Sequence, residues 1–168
     1  MKTIFLASAL ALCSIMGCAQ DKQPKSPPAN VKATVAGVDV EIQYSQPSVK
    51  GREIWGDLVP YGKVWRTGAN EATTISFSQD VMIDGQALPA GKYALFTIPT
   101  EDNFTFIFNK EAEQWGAYKY KEKEDALRIE TEARQLKNQT EVMTFKISDD
   151  GTVHLHWDYL EAVFTVSK

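Results

Sequence analysis

The sequence predicts an all-β domain, an antiparallel β-sandwich of jelly-roll type with a long irregular loop and one short helix. Three observations support this. The dominant period of hydrophobicity is two, turn signals separate the periodic runs at short intervals, and few stretches carry a helical pattern. Val38, Val40, Ile42 and Tyr44 alternate with Asp39, Glu41 and Gln43 in "VDVEIQY". The same alternation places Met143, Phe145 and Ile147 on one face, then Val153, Leu155 and Trp157, then Ala162, Phe164 and Val166. "TTISF" and "DVMID" are shorter strands. "YALFTI" (Tyr93 to Ile98) and "FTFIF" (Phe104 to Phe108) are apolar on both faces, as central strands are. Asp84-Gly85, Pro99 to Asn103 and Asp149-Asp150-Gly151 supply hairpin turns. Asn109 is placed to cap a helix over "KEAEQW", with Gly116 ending it. Lys119 to Glu124 reads as a solvated loop, and the β-branched Ile129 and Thr131 favour a strand over Asp125 to Arg134.

The N-terminus has a different character. Lys2 is followed by an apolar run, Ile4 to Met16, too short to span a bilayer as a transmembrane helix. Residues 1–17 read as a secretory signal, and Ile15-Met16-Gly17-Cys18 has the form of a lipobox, which predicts lipidation of Cys18. Ordinary secretion with cleavage elsewhere is the alternative. The chain has two cysteines, Cys13 and Cys18. Cys13 leaves with the signal, so Cys18 has no disulfide partner, and an acylated first residue accounts for it. Acyl chains stabilise membrane attachment by about 0.8 kcal/mol per buried CH₂. Residues 18–30, with three prolines and no large apolar residue, read as an extended tether of roughly 35–40 Å. Residues 31–168 form a single domain. The expected location is therefore the cell envelope, with the domain in the periplasm or at the cell surface. Acidic and basic residues, 22 and 18, are interspersed, which excludes the electrostatic footprint of a nucleic-acid binder.

The segment from Ser45 to Asn70, containing "GREIWGDLVPYGKVWRTGANEA", has no period and is long for a connection. Trp55, Tyr61 and Trp65 offer flat, partly polar surfaces, and Arg52 and Arg66 offer forked donors to carboxylates, phosphates or sugar hydroxyls. The competing reading is structural: Trp55, Leu58, Val59 and Trp65 plug an open end of the sandwich, with Arg66 paired to Glu53, Asp57 or Glu71. A protein-contact surface is the third reading. "KVWR" (Lys63 to Arg66) is also a candidate edge strand.

"YSQPSVKGREIWGDLVPYGKVWRTGANEAT", "LPAGKYALFTIP" and "FNKEAEQWGAYKY" together resemble the bacterial envelope-protein family catalogued as domain of unknown function 2911. The resemblance implies an exported or lipid-anchored protein of Gram-negative bacteria and brings no activity with it. The motif positions it marks are Gly51, Arg52, Trp55, Gly56, Pro60, Tyr61, Trp65, Arg66, Gly68, Asn70, Glu71, Asn109 and Trp115. Of these, Arg52, Trp55, Tyr61, Trp65, Arg66, Asn70, Glu71, Asn109 and Trp115 are the candidate ligand-binding residues.

The chemistry legible in the chain is sparse. His154 and His156 share one face of a strand and read as solvent-facing; a metal needs a converging carboxylate or a third histidine, and the chain has only these two. No Walker, dinucleotide or zinc-binding pattern occurs, so no cofactor and no metal is expected. Glu53, Asp57 and Glu71 are candidate carboxylates for glycoside hydrolysis. The leading expectation is a non-catalytic envelope module binding a glycan, a peptidoglycan fragment or a small anionic ligand. The alternatives are an envelope hydrolase and a structural or assembly subunit.

Overall fold

The computed structural model describes residues 25–168; the predicted signal sequence, Cys18 and most of the tether lie outside the described residues. The architecture is the expected antiparallel sandwich. Its strands are β1 (Pro28–Val35), β2 (Val38–Ser45), β3 (Thr74–Phe77), β4 (Val81–Ile83), β5 (Gln86–Leu88), β6 (Gly91–Pro99), β7 (Asn103–Asn109), β8 (Asp125–Glu132), β9 (Arg134–Ile147) and β10 (Thr152–Ser167). One sheet has the order β1-β2-β3-β6-β7-β8 and the other β5-β4-β10-β9. Strand pairing begins at Pro28, so the last residues of the predicted tether already belong to the sheet.

The hairpins follow from local chemistry. Ala36-Gly37 and Asp84-Gly85 have positive φ at both positions (48° and 83°, 46° and 78°). That is the turn whose twist matches two antiparallel strands. The main core lies between the sheets and takes the inward residues of the periodic runs, among them Val40, Ile42, Ile75, Leu95, Phe106, Phe145, Leu155 and Phe164. The two doubly apolar runs are β6 and β7, in the interior of the larger sheet. Their other face carries Ala94, Phe96 and Ile107, which form a second small cluster with Ala72, covered by Val64, Ala117 and Tyr120. The segment between β7 and β8 thus lies against the outer face of the larger sheet.

Two expectations need correction. Lys110 to Trp115 is not helical: Asn109 ends a strand, and its Oδ1 accepts the Glu111 N–H (3.1 Å) in a capped turn that is not propagated. Among the described residues the only helical piece is a 3₁₀ turn, Glu122–Glu124. Leu155 and Phe164, read as belonging to separate strands, lie on the single long strand β10, whose register with β9 breaks around Asp158, a residue at φ 54°.

Candidate functional site

The loop between β2 and β3 folds as a plug. Ile54 and Val59 are buried, and the Val59 N–H donates to the Ile54 carbonyl (2.8 Å). Trp55 meets Phe104, Trp157 and Trp65 edge-on at centroid separations of 5.2, 5.8 and 5.8 Å, while Trp65 stacks on Trp157 at 5.6 Å and 17°. Trp65 exchanges backbone hydrogen bonds with Thr97 (2.7 and 2.9 Å), extending the sheet along β6 where β3 ends. Its indole N–H donates to the Gly68 carbonyl (3.2 Å).

The other predicted residues mostly hold this loop together. Arg52 donates to the Ser48 and Val49 carbonyls. Arg66 donates to the Gly68 carbonyl (3.4 Å) and packs against Gly116, where an added Cβ would come within 2.8 Å of its Nη1. Among the described residues neither arginine forms an ion pair, so the expected partnership with Glu53, Asp57 or Glu71 is not made. Tyr61 lies on Gly56, whose φ of +91° suits glycine and whose missing side chain leaves the room the ring occupies; a Cβ there would sit 3.0 Å from it. Asn70, at φ 61°, donates to Ser45 Oγ (3.2 Å) and to the Ser26 carbonyl (3.3 Å). Asn109 is buried; its amide donates to the Lys121 carbonyl (3.0 Å) and to Asp125 Oδ1 (2.7 Å). Both ends of the β7–β8 segment are therefore tied to one side chain. The predicted residues thus do not line a common cleft, because most of them are consumed in packing and backbone capping.

Two of them do face a cavity. Glu71 and Trp115 form a backbone bridge and line a groove of about 710 Å³ on the outer face of the larger sheet. Its floor comes from positions that point away from the main core, Gln43, Thr74 and Lys92, and from Pro28 to Asn30 on the edge strand. Its wall is Ala112 to Trp115. Trp115 is 60 % exposed. Gln114 donates to the Glu111 carbonyl (2.7 Å), while its own Oε1 is buried without a hydrogen-bond donor. Gln43 was visible in the sequence only in the polar half of an alternating strand, and Lys92 only as the residue before a doubly apolar one. Nothing local told them apart from any other solvated face. Of the carboxylates considered for hydrolysis, only Glu71 lines the groove.

A second polar group lies elsewhere. His154 and His156 are not free in solvent. His154 Nδ1 is 2.7 Å and His156 Nε2 2.8 Å from the same carboxylate oxygen, Glu161 Oε1. Burial pushes the Glu161 carboxyl up, but the hydrogen bonds from His156 and His154 outweigh it and hold the group below the usual carboxylate range. Beside the β7–β8 segment, Tyr120 donates to Asp125 Oδ2 (2.7 Å), and burial, reinforced by that bond, pushes its hydroxyl up to about 12. It stays protonated at neutral pH and is unsuited to general-base work there.

Fold and surface define a small β-sandwich domain with a plugged loop and an open groove on one sheet. The model of the family described as "Protein of unknown function (DUF2911)" matches residues 26–166, and the chain belongs to that family. No curated protein and no solved structure gives a significant match.

Proposed function

We propose that the domain is a non-catalytic binding module of the cell envelope, held to a membrane through Cys18, and that its groove binds a glycan or peptidoglycan-derived saccharide. The observation that carries this reading is the exposed Trp115 ring beside amides and hydroxyls (Asn30, Gln43, Thr74, Gln114) in a groove of about 710 Å³. An open aromatic face with hydrogen-bonding groups around it suits a ring bearing several hydroxyls. Glu71 and Glu113 against Lys92 leave the lining with no excess of positive charge. Arg52 and Arg66, the reason for expecting an anionic ligand, line no part of it.

Titration of a glycan and peptidoglycan-fragment panel against the parent and Trp115→Ala tests the reading. Truncating an aromatic anchor costs about 2 kcal/mol or more, roughly 30-fold in Kd. A parent that binds nothing in the panel, or a folded Trp115→Ala protein that binds as well as the parent, overturns it. The lipid anchor is tested separately: Cys18→Ser is expected to move the protein from the detergent phase to the aqueous phase of a cell extract.

A further inference from the structure

We propose that His154, His156 and Glu161 form a binding site for a divalent transition-metal ion of the zinc class. Among the described residues they make up a group whose ligand atoms all lie within 4.8 Å of one another. This group is separate from the saccharide groove, whose lining contains none of the three.

The strand geometry explains why the group exists. Inward positions run Val153, Leu155, Trp157 before Asp158 and Leu160, Ala162, Phe164 after it. The parity shift at Asp158 moves Glu161 onto the face of the histidines. Parity alone is not enough. Glu161 follows His154 by seven residues, about 23 Å along an extended strand, more than two side chains bridge. The chain therefore bends sharply at Asp158, where φ is 54° and the pairing with β9 breaks. This bend brings a distant carboxylate over a His-x-His pair.

The donor set fits a borderline cation: two imidazole nitrogens and one carboxylate oxygen, with a coordination position left for water. Zinc bonds of about 2.0–2.1 Å place tetrahedral donors about 3.3 Å apart. The contacts of 2.7 and 2.8 Å must open by about half an ångström, which small rotations of half-buried rings allow. His154 would bind through Nδ1. Its Nε2 lies 3.1 Å from Ser148 Oγ, which donates to that nitrogen in the metal-free form and accepts its proton in the metal-bound form. A hydroxyl serves either tautomer, so the His154 proton passes from Nδ1 to Nε2 when the ion binds, and Ser148 still holds the ring in place. Arg134 Nη1 stands 3.9 Å from Glu161 Oε2, the oxygen the ion does not use.

The test uses the full chain in detergent, without an added histidine tag, titrated with ZnCl₂ by calorimetry and with CoCl₂ by visible absorption. The expected result is saturable one-to-one binding, cobalt d–d bands of nitrogen and oxygen ligation, and zinc-dependent shifts of the ring nitrogens of both histidines in nitrogen NMR. The His154→Ala/His156→Ala and Glu161→Gln proteins are expected to lose binding more than 100-fold, and Ser148→Ala roughly 10-fold. Failure of the parent to bind zinc, or unchanged affinity in the double-histidine variant, overturns the proposal. If a variant does not fold, the parent's ring-nitrogen shifts decide: their absence at saturating zinc has the same force.

Discussion

Replacing Trp65 by alanine tests by energy whether the loop between β2 and β3 is a plug rather than a ligand or protein-contact surface. The indole is half-buried, stacks on Trp157 and meets Trp55 edge-on, and it donates to the Gly68 carbonyl. Truncating a fully buried aromatic costs about 3–5 kcal/mol. Partial exposure lowers the transfer share. Two ring pairs at about 0.5–1.5 kcal/mol each and a hydrogen bond of about 1 kcal/mol return the total to about 3–4 kcal/mol. Against a stability of about 5–15 kcal/mol for a domain, that is a large fraction. Urea unfolding followed by circular dichroism is expected to show a midpoint lowered by about 1–2 M with an unchanged slope. Trp115→Ala serves as the counterpart: its ring is 60 % exposed, and its removal is expected to change stability by less than about 0.5 kcal/mol. A loss under about 1 kcal/mol in Trp65→Ala would refute the plug, since a ring that costs so little to remove is not part of the core.

Gly151 and Gly37 both hold positive φ, +86° and +83°, so alanine at either pays about 1–2 kcal/mol of left-handed strain. Only at Gly151 would the new Cβ also fall 2.2 Å from the Val166 carbonyl oxygen, so Gly151→Ala is expected to lower the melting temperature well beyond Gly37→Ala. Asn109→Ala removes donors to Lys121 and Asp125 and is expected to destabilise by about 2–3 kcal/mol and to weaken saccharide binding by loosening the groove wall, measured by urea unfolding and titration. Glu161 has a folded pKa below its unfolded value, so its ionisation stabilises the native state above about pH 4.3. That contribution is lost as pH falls through the lowered folded value. The urea midpoint is therefore expected to drop more steeply below pH 4.5 in the parent than in Glu161→Gln.

The strands were legible because each half-buried strand announces itself by alternation, and the doubly apolar β6 and β7 by its absence. The groove was not, because its lining is assembled from the polar faces of β1, β2, β3 and β6 and from a segment distant in sequence, Ala112 to Trp115. Trp115 and Glu71 stood out in the sequence, but so did Trp55 and Trp65, and composition does not distinguish a ring that stacks in a core from one that faces water. The short helix was misplaced because a capping asparagine and a terminal glycine describe a turn as well as a helix. Here the Asn109 Oδ1 accepts from Glu111 two residues on, while its amide nitrogen donates across the segment to Lys121 and Asp125, so the turn is not propagated into a helix.

The histidine cluster shows where reading by period stops. The period places His154 and His156 on one face, as the burial pattern of β10 has them, but it reads them as solvent-facing, whereas both contact Glu161. One unbroken two-residue period from Val153 would turn Glu161 inward; the separate inward run Ala162, Phe164 and Val166 implies a change of parity but does not say where it falls or that it brings Glu161 to the histidines. The irregularity at Asp158 shifts the parity and bends the strand, yet no glycine or proline marks the position. A non-glycine residue in a left-handed conformation costs free energy and persists only where the surrounding packing holds it. Here the outward pull is supplied by Glu161 accepting from both imidazoles, and the inward pull by Leu160, Ala162 and Phe164 returning to the core. The bend and the cluster are thus one feature. Replacing Asp158 by glycine relieves the strain and should leave the three ligand atoms together, whereas a substitution that straightened the strand would carry Glu161 away from His154 whatever became of the core.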